Sequence, residues 1–305
     1  MKETDVCIIG AGPAGYTAAI YAARKMLSVI VIDKASSGGQ TANAIWMKNY
    51  PGCGRIKGKE LMQKMRAQAE GFGAKTKEAV EATDIKKTTN GFEVTTEKGK
   101  ILAKTVVIAT GTKHKHLNIP GEKEFYGKGV SYCANCDGLF FRKQRVAVIG
   151  AGNSGATAAL LFDEIASETI LIEFLPEINC DEIYRAALQK TKVKIIRNTA
   201  VTEIFGKEAV EGITLKNRAS GKEEKIAVEG VFIYVGLLPE NSLAKKIGLK
   251  ISEKGFIVVN EKLETGIPGI FAAGDITGAL AQTVVAAGQG AIAATGVYNF
   301  IKGIK

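Results

Sequence analysis

The sequence predicts an α/β protein of two Rossmann-like, three-layer units, and three observations predict it. A short apolar run at residues 6–9 ends in Gly10-Ala-Gly-Pro-Ala-Gly15, a helical pattern follows, and a second apolar run at 29–32 closes on Asp33. The same order restarts at residues 145–149, with Gly150, Gly152 and Gly155, and closes on Glu173. Corresponding residues keep a constant offset, as an internal duplication requires. Strand, glycine turn, helix, strand and acid in that order form the dinucleotide-binding fingerprint.

Each element has a physical reason. Gly10, Gly12 and Gly15 permit the tight turn and the close approach of a pyrophosphate to backbone N–H groups at a helix start. Pro13 suits the first helical position, and alanines at helical spacing carry the helix to about residue 25. Asp33 is placed to accept hydrogen bonds from an adenosine ribose. Residues 35–57 read as an irregular connection, containing Gly38-Gly39-Gln40 and Asn49-Tyr50-Pro51-Gly52, long enough to wrap a cofactor. A helix is expected over 58–72. Residues 75–101 alternate β-branched and polar residues around Asn90-Gly91, which signals a hairpin or meander. Residues 106–111 form a buried strand ending in Thr110-Gly111.

In the second unit a helix is expected over 153–166, a strand over 169–172 and a closing strand over 231–236. The tail has a short apolar strand ending in Gly274-Asp275, then a Gly- and Ala-rich helix over about 281–300, whose start can face negative charge.

Hydrophobic residues make up 46% of the 305, enough to bury ordinary cores, and 35 Gly against 6 Pro favour tight strand-to-helix turns over Pro-rich linkers. The net charge of +10 would steer an acidic protein or a phosphorylated cofactor toward the surface. The excess Lys is scattered and not interleaved with aromatics, so nucleic acid is not expected. No apolar stretch approaches the roughly 18 residues of a membrane span and no signal region opens the chain; the reading is soluble and cytoplasmic. Five Cys with one close pair is not a secreted disulfide framework. That pair, Cys133-Ala134-Asn135-Cys136-Asp137-Gly138, lies almost midway between the two glycine loops. Two thiols between two dinucleotide folds suggest that electrons enter at a nucleotide cofactor and leave through a disulfide.

The order of glycine loop, Ala-Thr-Gly strand end, Cys-x-x-Cys-Asp-Gly, second glycine loop and Gly-Asp tail resembles low-molecular-weight thioredoxin reductase over essentially the whole chain. The resemblance implies that residues 1–113 and 243–305 form one FAD domain. Residues 114–242 would form an inserted pyridine-nucleotide-like domain carrying the redox pair. It also implies a homodimer and a thioredoxin-like protein substrate. Gly10, Gly12, Pro13, Ala14, Gly15, Asp33, Gln40, Asn49, Asp275 and Gln282 match FAD contacts; Lys34, Gly39, Val80, Thr110, Gly111 and Gly274 complete that set. Gly150, Gly152, Asn153, Ser154, Gly155 and Glu173 form the second nucleotide set. Cys136 would face the flavin, Cys133 would attack the substrate as a thiolate and Asp137 would act as general acid/base. Serving both implies domain rotation about hinges near 113 and 243.

Two departures from the family stand out. Ala281 replaces the Arg that usually precedes Gln282. In place of the His-Arg-Arg cluster that holds the 2′-phosphate of NADPH, residues 173–179 read Glu-Phe-Leu-Pro-Glu-Ile-Asn, whose acids repel phosphate. NADPH is therefore disfavoured. Glu173 suits a free ribose hydroxyl and hence NADH, and a ferredoxin or reduced deazaflavin donor is the other option. The alternatives weighed are a redox-sensing or partner-binding flavoprotein without pyridine-nucleotide turnover, and a zinc site from His114, His116, Cys133 and Cys136, whose His-x-His spacing fits poorly. A dihydrolipoamide-dehydrogenase type lacks its Cys-x4-Cys here. Cys7 reads as core, Cys53 and Cys180 as loop residues, and Trp46 as packing on flavin or on its own loop.

Overall fold

The structure, a computed structural model, describes residues 2–44 and 46–304. The chain divides into two compact units, residues 1–113 with 238–305, and residues 114–237. The second is thus inserted into the first.

In the first unit the parallel strands Lys75–Lys77, Val29–Ile32, Lys2–Ile9 and Gly99–Ile108 lie side by side in that order. Strand Gly99–Ile108 serves two neighbours. Its first half pairs antiparallel with Gly91–Thr96, which turns back at Asn90-Gly91 onto Ala82–Thr88. Its second half pairs in parallel with Ile270–Ala272. Because side chains alternate across a strand, Val6 and Ile8 enter one core with the helices Pro13–Arg24, Gly58–Gly71 and Thr283–Lys302. Cys7 and Ile9 enter the opposite core, with Ile85, Val94, Leu243 and Ile257. Each fully buried Val or Ile contributes roughly 1.5–3 kcal/mol.

Helix Thr283–Lys302 is apolar enough by composition to span a membrane, with mean hydropathy 1.3 over 18 residues. In the fold it lies against Pro13–Arg24, and the contact depends on Gly290. A Cβ at that position would land on the Ala14 carbonyl oxygen and crowd the Ala18 nitrogen.

The second unit repeats the plan. Its parallel sheet runs Lys194–Ile196, Glu168–Ile172, Arg145–Ile149, Gly230–Ile233, Val130–Ser131. Val146, Val148, Leu171 and Phe232 face helix Asn153–Ile165 through Ala156, Ala159 and Phe162. Ala147, Ile149, Ile170 and Val231 face the antiparallel sheet Thr199–Gly206, Val210–Asn217, Glu223–Ala227 through Val201, Ile204 and Ile213. In both units a fifth strand adds to the same edge. It is Ile270–Ala272 in the first, from the end of the chain, and Val130–Ser131 in the second, from the unit's start. Gly274-Asp275 and the Cys133–Cys136 pair therefore follow topologically equivalent strands.

A buried carboxylate fastens the entry to the second unit. Glu122, 3% exposed, accepts the Leu117 N–H (2.9 Å), the Asn118 N–H (2.6 Å) and the Tyr132 hydroxyl (2.7 Å). His116 Nδ1 lies 2.6 Å from the same hydroxyl. Burial alone would raise the Glu122 carboxyl. The Tyr132 hydroxyl and the two N–H groups outweigh it, and the carboxyl lies below the usual range.

These contacts set two expectations for stability. Gly290→Ala should cost about 1–3 kcal/mol through overpacking, read as a lower denaturant midpoint. Glu122→Gln should cost about 1–3 kcal/mol at pH 7. Because the folded carboxyl is depressed, its contribution is complete above the unfolded value of about 4.3 and is lost as pH falls through the folded one. The gap between parent and variant should therefore narrow in denaturant titrations run below about pH 4.

Candidate active site

Cys133 and Cys136 are joined in a disulfide, with Cα atoms 5.3 Å apart. They sit at the start of the short helix Ala134–Asp137, which follows strand Val130–Ser131 at the C-terminal edge of a parallel sheet. Ligand chemistry in α/β sheets collects at that edge. Cys136 is exposed and Cys133 half-buried. The Cys136 N–H donates to Cys133 Sγ at 3.1 Å. A donor aimed at a sulfur favours negative charge there. The Asp137 N–H closes the turn on the Cys133 carbonyl (3.1 Å). The Ala134 N–H donates to the Tyr234 hydroxyl (2.8 Å). Burial, with the charge of Asp137 adding to it, pushes the Tyr234 phenol up to about 12, so it stays neutral.

In the first unit the residues expected to hold the flavin converge on one loop cluster. Gly10, at φ +112°, has the Ala109 carbonyl where a Cβ would stand, and Gly15 has the Gly10 carbonyl there. No side chain fits at either place. Gly12 opens helix Pro13–Arg24 as its N-cap. Gly39 comes near Gly12, the Gly38 N–H donates to the Ala11 carbonyl (2.9 Å), and Gly274 packs on Ala14. Gln40 donates to the Thr112 carbonyl (3.2 Å) and Asn49 to Gln282 Oε1 (2.9 Å). Thr110 donates to the Glu240 carbonyl (2.8 Å), beside Gly111. Val80 is buried, its N–H on the Asp33 carbonyl (2.8 Å). Burial raises the Asp275 carboxyl, and the neighbouring Thr112 hydroxyl pulls the other way. Thr112 Oγ1 is itself buried without a regular hydrogen-bond partner. A buried hydroxyl beside a half-buried acid and a cradle open only to glycine suit a polar cofactor such as FAD.

Two expected contacts are committed within the protein. Lys34 pairs with Glu240 at 3.1 Å. Asp33 accepts the Ala11 N–H on Oδ2 (2.7 Å) and the Ala35 N–H on Oδ1 (2.9 Å). It ties the glycine loop to the second strand and has further lone pairs beyond these two bonds. Gln289, which the sequence reading did not single out, accepts the Gly274 N–H (2.7 Å) and the Thr277 hydroxyl (3.0 Å). It lies 15 residues from Gly274, with no local motif to mark it.

The second glycine loop has the same backbone. Gly150, at φ +95°, is filled by the Tyr234 carbonyl, and Gly155 by the Gly150 carbonyl. Glu173 copies Asp33, accepting the Ala151 N–H (2.6 Å) and the Leu175 N–H (2.9 Å), and is 7% exposed. Little of its carboxylate faces outward. Gly152 caps helix Asn153–Ile165, and Ser154 is exposed in its first turn. Asn153 is locked to Asp181 by two reciprocal bonds: its amide donates to Oδ2 (2.9 Å) and its Oδ1 accepts the Asp181 N–H (2.7 Å). Two guanidiniums missed by a local reading flank the loop. Arg197 pairs with Glu177 (2.9 Å), while Arg218 lies 3.8 Å from the Phe174 ring centroid and donates to the Phe174 carbonyl (3.1 Å).

The remaining candidates separate. His114 stacks on Tyr132 at 5.4 Å between ring centroids, and burial lowers its pKa. With His116 on the Tyr132 hydroxyl and both sulfurs in a disulfide, the four proposed zinc ligands are otherwise engaged. Burial pushes the Cys7 thiol up to about 12 and raises Cys180 as well; neither is a ready thiolate. Arg55 lies 3.8 Å from the ring centroid of Trp46, which thus packs against its own loop.

Against known proteins, the chain matches the family described as pyridine nucleotide-disulphide oxidoreductase over residues 4–290. It is 39% identical over 307 residues to the thioredoxin reductase of Bacillus subtilis, covering 99% of this chain and 96% of that one. It is 38% identical over 301 residues to an alkyl hydroperoxide reductase protein of Staphylococcus aureus, spanning 97% of this chain but only 59% of that protein. The crystal structure of T. acidophilum thioredoxin reductase superposes with a TM-score of 0.96 at 44% identity, over 100% of both chains. With the Cys-x-x-Cys disulfide at the sheet edge and the glycine loop twice built, the chain belongs to the pyridine nucleotide-disulphide oxidoreductase family, in its thioredoxin reductase branch, and is an oxidoreductase acting on a disulfide.

Proposed function

We propose that this protein is a FAD-dependent thioredoxin-disulfide reductase whose electron donor carries no 2′-phosphate. The observation that carries the reading is the Cys133–Cys136 disulfide, bracketed by Asp137 and by a backbone N–H aimed at Cys133 Sγ. The FAD site is assigned to residues 1–113 and the returning segment, and the redox pair to the inserted unit. The glycine cradle of Gly10, Gly12, Pro13, Ala14 and Gly15 would hold the pyrophosphate, Asp33 the ribose, and Gln40, Asn49, Asp275 and Gln282 the remainder. The chemistry that bound FAD supplies is delivery of an electron pair to the Cys133–Cys136 disulfide.

The chain's own residues do the rest. Once the pair is reduced, the Cys133 thiolate attacks one sulfur of a partner disulfide, and the displaced partner thiolate takes up a proton. The Cys136 thiolate then attacks Cys133 Sγ in the mixed disulfide, restores Cys133–Cys136 and releases the second partner thiol. Asp137, directly after the pair, is the group to move the proton. The substrate is a thioredoxin-like protein, by analogy with the relatives named as thioredoxin reductases. A homodimer and a cytoplasmic setting belong to the same reading.

The donor assignment rests on the second loop. Its backbone cradle is intact, but Asp181 stands clamped to Asn153 at the helix start, and Arg197 is neutralised by Glu177. Arg218 is stacked on Phe174 and bonded to its carbonyl, so a 2′-phosphate would meet the acids Glu177 and Asp181 beside a single engaged guanidinium in place of a cluster. NADH, or an acidic ferredoxin or deazaflavin drawn to the +10 surface, avoids that repulsion.

Two measurements test these readings. Cys136→Ser should retain FAD and its reduction by the donor, yet lose thioredoxin turnover; turnover at the parental rate sinks the relay. In an anaerobic titration, stoichiometric NADPH should leave the flavin oxidised, whereas NADH, reduced ferredoxin or reduced deazaflavin bleaches it. Bleaching by NADPH overturns the donor assignment, and failure of all four would favour a redox-sensing flavoprotein.

A further inference from the structure

Ser131 ends the strand that delivers the redox pair. It is 4% exposed, two residues before Cys133 and six before Asp137. Its Oγ accepts the Cys133 N–H at 3.0 Å and lies 2.6 Å from Asp137 Oδ2. A serine hydroxyl has one proton. The alternative acceptor, the Cys133 carbonyl, is 3.5 Å away, so the proton belongs to Asp137. The result is a directed chain: Cys133 N–H to Ser131 Oγ, then Ser131 O–H to the Asp137 carboxylate. Each bond polarises the next.

From this chain we infer that Ser131 is a positioning residue for disulfide exchange. It fixes the Asp137 carboxylate relative to the Cys133 backbone and leaves Oδ1 as the oxygen that exchanges a proton with the reacting sulfur. The inference rests on the acid/base role proposed for Asp137. The environment favours a specific bond over incidental contact. The strand of Ser131 is held in place by its parallel pairing with Gly230–Ile233. Tyr234, directly after that neighbouring strand, holds the Ala134 N–H. The helix carrying Asp137 is thus pinned at its first residue by Tyr234 and at its last by Ser131. The Asp137 carboxylate accepts the Ser131 hydroxyl, and the neutral Tyr234 phenol lies near enough to feel its charge.

The experiment uses FAD-loaded enzyme, reduced with one equivalent of dithionite and mixed with oxidised thioredoxin across pH. Ser131→Ala should lower the exchange rate about 10-fold. KM for thioredoxin should stay within about twofold, because Ser131 is buried and does not meet the partner. Ser131→Thr, which keeps the hydroxyl, should restore the rate. Asp137→Asn, which removes the acid itself, should be slow as well. If Asp137→Asn exchanges at the parental rate, the acid/base reading itself fails and takes this inference with it. If Asp137→Asn is slow but Ser131→Ala keeps the parental rate, the role of Ser131 alone is overturned.

Discussion

Each unit depends on a carboxylate at the end of its second strand that ties down the glycine loop after its first. Asp33 reaches the Ala11 N–H and Glu173 the Ala151 N–H, at 2.7 and 2.6 Å. The loop has no side chains to hold it, because Gly10, Gly15, Gly150 and Gly155 each have a carbonyl where a Cβ would stand. Without the tie, a run of glycines would lose its geometry to backbone entropy. With it, the first unit presents its helix start to an anion, while in the second Asp181 stands at that place. The two acids differ by one methylene and make the same bonds, which is the duplication expressed in hydrogen bonds.

The redox pair inherits its place from that duplication. The fifth strand of each sheet delivers functional residues to the same edge, Asp275 in one unit and Cys133 in the other. The unit that carries the thiols adds a polar scaffold around them. Glu122 gathers Tyr132, His116 and two backbone N–H groups just ahead of the pair. Ser131 and Tyr234 hold the short helix itself. A four-residue helix has no stability of its own, so side chains from neighbouring strands must supply its orientation. Disulfide exchange needs its sulfurs held in place, and these bonds hold the helix that carries them.

Much of this was legible in order along the chain. The glycine loops, their closing acids, the hairpin at Asn90-Gly91 and the Cys-x-x-Cys-Asp segment are all local patterns with local physical causes. Hidden were partners that meet only after folding. Gln289 caps Gly274 from a helix turn with no motif. Arg197 and Arg218 reach the loop after Glu173 from elsewhere in the chain, so the absence of Arg within residues 173–179 understated the positive charge nearby. Asp181 turned out to be the acid that occupies the start of the second loop's helix, well past the acid that the fingerprint marks.

The sequence by itself determined the two-unit α/β plan, the duplicated loops and the redox chemistry, because alternation, glycine turns and paired cysteines are encoded over short spans. The tertiary structure decided how those groups are committed. It showed Asp33 and Glu173 bonded to backbone, Lys34 paired with Glu240, Arg197 paired with Glu177 and Ser131 bridging Cys133 to Asp137. A hydrogen bond is set by distances of a few tenths of an ångström between segments far apart in the chain, and residue order alone does not specify those distances.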